Sequence, residues 1–191
     1  MSALLYGSES WTLYSMHIKQ LDRFHIRCLR RIMNISWQEH ITNSEVLRRA
    51  GLCGIEAYVR KNQLRWAGHL VRMADSRLPK QIFFSELCLG QRARGRPTLR
   101  YKDTLKASLK SFNINDSSWQ SLATNRTAWR AAVHKGAKSF EANRIDQIET
   151  KRVARKLKQT QLPDPHYAIK CTVCGRLCKS QFGLRSHMRI H

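Results

Sequence analysis

The 191 residues carry 35 Lys and Arg against 13 Asp and Glu, a formal charge of +22. Solubility does not need so much, so a polyanionic partner is implied, and nucleic acid is the commonest one. Hydrophobic residues, at 42%, suffice for a core; no run approaches the roughly 18 apolar residues of a spanning helix, and MSALLYGSES lacks the layout of a signal peptide. The chain is therefore expected in the nucleus or cytoplasm, not secreted. An acidic membrane surface is the rival polyanion, and the expectation is nucleic acid with no membrane.

From Ser15, Leu21, Phe24, Cys28, Leu29 and Ile32 recur at three-and-four spacing, which predicts a helix with one buried stripe, stopped at Asn34. Lys19, Arg23, Arg27, Arg30 and Arg31 fall on the opposite side as a cationic ridge, a feature that in an isolated helix is as readily a solvated surface. Thr42 and Glu45 form a capping box for a short helix that buries Val46, Leu47 and Ala50 and ends at Gly51. A third helix runs from about Ile55 to Met73. Ile55, Tyr58, Val59, Trp66, Leu70 and Met73 line one face and Leu64 and Val71 the other, so it should sit at the centre of the bundle. Lys61, Arg65 and Arg72 line one flank near His69, which is given no catalytic role.

Pro79 is expected to end a turn, and in QIFFSELCL the period fits a strand or a helix equally. GQRARGRPTLR follows, basic up to Asp103. Leu105, Leu109 and Phe112 mark another helix, Asn115 or Asp116 should cap a short one holding Trp119 and Leu122, and Asn125 should cap a long last one. Its apolar positions, Trp129, Val133, Phe140, Ile145, Ile148 and Val153, give an uneven stripe that fades into KRVARKLK. That basic end should protrude, and QLPDPHY reads as a linker.

Cys28, Cys53 and Cys88 are scattered like buried thiols, whereas the other three cysteines crowd into CTVCGRLCKSQFGLRSHMRIH. There, Cys171 and Cys174 are two residues apart, His187 and His191 three, and the pairs twelve. A short turn converges two thiolates, a helix presents two imidazoles, and together they close a tetrahedron around one structural zinc ion. Zinc supplies the folding free energy that so small a core lacks. Leu184 stands where such a finger keeps its core leucine. Cys178 replaces the usual core aromatic; it either packs as a small buried residue, the favoured reading, or competes as a ligand.

The positions that face bases in such a finger are Ser180, Gly183 and Ser186, and none offers a bidentate donor pair. Arg176, Lys179, Arg185 and Arg189 are suited to phosphates, and Phe182 to stacking on an unpaired base, so the partner is RNA or DNA held with little sequence preference. Arg94-Gly95-Arg96-Pro97 matches the core of the minor-groove AT-hook, and a basic surface turn explains it equally well. No paired-aspartate polymerase motif, phosphate-cradling glycine loop or nucleophile with a His partner is evident, so no enzymatic activity is expected.

The order LLYGSESWTL, LDRFHIRCLRRIMNISW, ITNSEVLRRAGL, LRWAGHLVRM, RLPKQIFFSEL, GQRARGRPTLRYKDTLK and WRAAV, over roughly residues 3–135, resembles the region downstream of the reverse transcriptase in non-LTR, LINE-type retrotransposon polyproteins. Residues 174–187 resemble the short Cys/His finger that ends some of these elements. The resemblance implies the tail of a longer polyprotein or a decayed copy, with an upstream polymerase domain as partner and with template RNA or target DNA gripped while other domains do the chemistry.

The fold expected is mainly α: a small helical bundle, a long basic C-terminal helix and a separate ββα C2H2 zinc finger. Residues 1–14 would be a remnant following the reverse transcriptase region, 15–135 the bundle, 136–168 the basic helix and linker, and 169–191 the finger. Function is expected to be zinc-dependent nucleic-acid binding, with a C2H2 transcriptional regulator or a protein-interaction scaffold as the alternatives.

Overall fold

The computed structural model describes residues 3–85, 100–160 and 169–191 and is mainly helical. Arg94, Gly95, Arg96 and Pro97, Cys88 and the QLPDPHY linker lie outside the described residues. The chain divides into two units, Met1–Ile145 and Asp146–His191.

In the first unit, α1 (Ser15–Ile32) ends as expected at Asn34, which takes a left-handed φ of 52° while the Ile35 N–H bonds the Arg30 carbonyl at 2.8 Å. Its buried line differs from the expected stripe. Phe24 and Ile32 are exposed, and His25, Ile26 and Leu29 are buried instead. The helix is turned because it packs on two neighbours at once. Ile26 and Leu29 meet Val46 and Leu47 of α2 (Asn43–Ala50), while Leu21 reaches the N-terminal half of α3 (Ile55–Arg72). Thr42 Oγ1 accepts from the Glu45 N–H, but the Glu45 carboxylate goes to Arg48 and Arg49, so half of the expected capping box forms.

Helix α3 is the centre. Both its faces are covered, by Leu5, Trp11 and Leu13 on one side and by α5 (Tyr101–Ser111), α6 (Trp119–Thr124) and the start of α7 (Arg126–Thr160) on the other. Gln63, buried in the middle of α3, donates to the Trp11 carbonyl at 2.8 Å and accepts from Ser108 of α5 at 3.0 Å. The Tyr101 hydroxyl donates to the Glu9 carbonyl at 2.7 Å. These bonds tie the first residues of the chain into the bundle.

Pro79 does not end a turn; it opens α4 (Leu78–Phe84) within its first turn, where a missing N–H is harmless. Ser118, not Asn115 or Asp116, holds the cap position of α6, and Asn115 instead accepts from Ser117 in a turn ahead of it. Asn125 caps α7 as expected, accepting from the Thr127 and Ala128 N–H groups.

Helix α7 docks through two glycines. A Cβ on Gly68 of α3 would lie 2.1 Å from Trp129 Nε1, and one on Gly136 of α7 itself would lie 2.6 Å from Phe112 Cβ. Because Gly68 has none, the Trp129 indole sits directly on α3 and donates to the Leu64 carbonyl at 3.0 Å. Directly after Phe140, the last α7 side chain packed on this core, Glu141 is buried. It accepts the Gly54 N–H at the start of α3 at 3.0 Å and holds Arg144 in a two-bond pair. Beyond Ile145, Ile148, Val153 and Leu157 are exposed, so the uneven stripe ends with the first unit.

Replacing Gly68 with Ala should therefore displace the indole and strand its N–H, costing about 3 kcal/mol. Thermal unfolding followed by circular dichroism is expected to fall by about 10 °C; an unchanged midpoint would contradict the docking.

Candidate metal centre and basic surfaces

In the second unit, β1 (Ile169–Lys170) pairs antiparallel with β2 (Leu177–Cys178), Ile169 opposite Cys178 and Lys170 opposite Leu177. Gly175, at φ 72°, makes the turn, its N–H bonded to the Cys171 carbonyl at 3.0 Å. Helix α8 (Gln181–Met188) then packs back on the hairpin. The order is the ββα of the expected finger. Ser180 caps α8, its Oγ accepting the Gly183 N–H at 3.1 Å.

The hairpin brings Cys171 and Cys174 to one end of α8, where His187 and His191 meet them. One ligand atom from each of the four lies within 4.8 Å of all the others. Cys174 Sγ is 3.0 Å from His187 Nε2, which is 3.2 Å from His191 Nε2. A zinc tetrahedron of thiolates and imidazoles has edges of about 3.3–3.8 Å, so little movement separates this cluster from a closed coordination shell. His191 lies past the end of α8, on a turn in which the Ile190 N–H bonds the His187 carbonyl.

Electrostatics favour the metal-binding forms. Backbone N–H groups of Cys174 and Val173 directed at Cys171 hold its thiol below the usual value. Burial, then His191 and Arg176, pushes the His187 imidazole down as well. Thiolate and neutral imidazole are the species that ligate zinc. No fifth donor is needed. Cys178 is buried in β2 outside the four-residue cluster, with Leu184 half-buried, which leaves the missing aromatic replaced by a small packed thiol.

Among residues expected to contact nucleic acid, Arg176, Lys179, Arg185, Ser186 and Arg189 are exposed, and Phe182 is 82% exposed. Ser180 spends its hydroxyl on the helix cap. On α1, Lys19, Arg23, Arg27 and Arg31 are exposed, but Arg30 departs from the expected ridge. It is half-buried and donates to the Ile41 carbonyl and to Asn43 Oδ1, holding the loop into α2. Sequence spacing placed Arg30 by angle alone and carried no sign of this long-range partner.

The chain thus holds a helical unit and a second unit whose Cys2His2 cluster could bind one metal ion. A transposon-derived protein of Caenorhabditis elegans is 23% identical over 142 residues, 71% of this chain. The chain spans about half, 51%, of that relative's length. This similarity supports a transposon-related origin. No family model matches the chain, and no solved structure does. Among the described residues, no helix is long and apolar enough to cross a membrane.

One zinc ion per chain is the expected stoichiometry. Titration with Co2+ should give the strong visible bands of tetrahedral sulfur-nitrogen coordination, kept by Cys178→Ala and lost with Cys171→Ser/Cys174→Ser; bands lost with Cys178→Ala would make that thiol a ligand.

Proposed function

We propose that this chain is a zinc-dependent nucleic-acid-binding region of a LINE-type retrotransposon protein, an accessory to a polymerase domain that lies upstream in such elements. It grips RNA or DNA chiefly through phosphates, acts in the nucleus or cytoplasm, and carries no catalytic step itself. The observation that carries this reading is the net charge of +22, with Arg23, Arg27 and Arg31 and the finger's Arg176, Arg185 and Arg189 all turned outward. Support comes from the transposon-derived relative and from a Cys/His cluster that, holding a metal ion, would give a short, basic segment a fixed shape.

The finger in this reading adds grip, not an address. Ser186 is short, Ser180 is occupied by its cap, and Gly183 has no side chain, so base edges would meet no bidentate donors. Exposed Phe182 offers a stacking face to an unpaired base. Selection of a site then falls to other domains of the element.

Binding of the zinc-loaded chain to single-stranded RNA, single-stranded DNA and duplex DNA tests the proposal. Six phosphate contacts to a single strand would give a slope of log K against log salt of about −4. Cys171→Ser/Cys174→Ser should weaken binding at every salt. An affinity nearly flat between about 50 and 200 mM salt would contradict a charge-driven grip.

A further inference from the structure

The first unit contains a groove of about 900 Å³ between α3 and the opening turns of α7, with Trp129 and Val133 among its lining residues. One wall carries Lys61, Arg65 and Arg72 of α3, the other Arg126, Arg130 and His134 of α7. Glu9 is the one carboxylate in the lining. Elsewhere in this unit Glu45, Glu56, Asp75, Asp103, Asp116 and Glu141 are ion-paired, to Arg and Lys outside the groove. Among the described residues, Lys61, Arg65, Arg126 and Arg130 have no carboxylate partner.

Two walls of like charge facing each other cost free energy in the empty groove. Their mutual field is felt at His134, whose imidazole is pushed below its usual value by Lys61 foremost, then by burial and by Arg130, Arg65 and Lys138. A partner that relieves this repulsion must be anionic and slim enough to lie between two helices. Arg72 is in part committed to the fold, donating to the Ala123 carbonyl, and so marks one end of the wall instead of an open cation.

The groove also holds aromatic surface. Trp66 lines it half-buried, with the His69 ring 5.4 Å away and tilted by 41°. Base faces stack on such rings only when unpaired, because in a duplex they are already stacked on one another. Cations along both walls with a planar platform between them are the arrangement by which proteins hold single strands with little sequence preference.

We propose that this groove binds a short stretch of single-stranded nucleic acid, its phosphates between Lys61 and Arg65 on one side and Arg126 and Arg130 on the other, with a base against Trp66. The proposal rests on the nucleic-acid reading above and adds a second contact surface, remote in sequence from the finger. It gives a use to the LRWAGHLVRM segment, whose Gly68 seats α7 close enough to α3 to form the groove.

The test uses the full zinc-loaded chain and fluorescently labelled U12, dT12 and a 12-base-pair duplex. Two variants address one wall each, Lys61→Gln/Arg65→Gln and Arg126→Gln/Arg130→Gln. Lys106→Gln/Lys110→Gln on the exposed side of α5 removes the same charge outside every proposed contact surface, and thermal melts check that each variant stays folded. Each wall variant is expected to weaken U12 and dT12 binding about tenfold and to lower the salt slope by about 1.4, with the α5 variant much closer to wild type. Trp66→Leu should weaken the single strands more than the duplex.

If wild type binds but both wall variants match the α5 variant, the groove proposal is overturned while the nucleic-acid reading stands. If wild type binds none of the three polymers, that reading falls and the groove with it. Polyglutamate displacing the strands at equal charge concentration would make the groove an acidic-peptide surface and also overturn the proposal.

Discussion

The seating of Trp129 on Gly68 is the contact on which the first unit depends. A residue without a side chain in the middle of α3 lets an indole from α7 lie against the helix backbone, with its N–H satisfied by the Leu64 carbonyl. From that point the core of Leu64, Ala67, Leu109, Trp119 and Val133 closes on one side of α3, and the groove opens beside it. The buried pair of Glu141 and Arg144 fixes the far end of the same docking, reaching back to the Gly54 N–H. A buried ion pair of this kind contributes little net stability, but losing either partner leaves an uncompensated charge, so it fixes how α7 lies on α3 more than how tightly.

Charge in this chain is distributed by function of position, not evenly. Most carboxylates of the first unit are held in short-range pairs that brace helices, such as Glu45 with Arg48 and Arg49 or Glu56 with Arg60. The remaining cations are left facing outward on α1, in the groove and on the finger. Such an excess repels itself and lowers the stability of the compact state. In the second unit a metal ion held by the four clustered Cys and His residues would offset this, supplying folding free energy that a core of Cys178 and Leu184 cannot. In the first unit the hydrophobic core must do so alone.

The metal centre was legible in the sequence because its chemistry fixes its spacing: the four ligands Cys171, Cys174, His187 and His191 come together where the pattern put them. The central place of α3, the Asn34 stop and the Asn125 cap were legible for similar local reasons. What periodicity could not give were long-range polar partners. His25 lies buried where Phe24 was expected, since α1 answers to two neighbours. Arg30 leaves the ridge for the Ile41 carbonyl, and Glu141 is buried beside Phe140 in a stripe that the sequence marks only by its apolar residues. Pro79 was misplaced for a simpler reason, as a residue that can end a turn can equally start a helix. The groove needed α3 and α7 side by side, and nothing in either helix alone announced it.

The most direct measurement is nuclear magnetic resonance of the zinc-loaded, 22.3 kDa chain titrated with a short single strand. The account predicts amide shifts concentrated in Lys61–Arg72, Arg126–His134 and Cys171–His191, with the centre of the core little changed. Shifts absent from all three segments at saturating strand would contradict it.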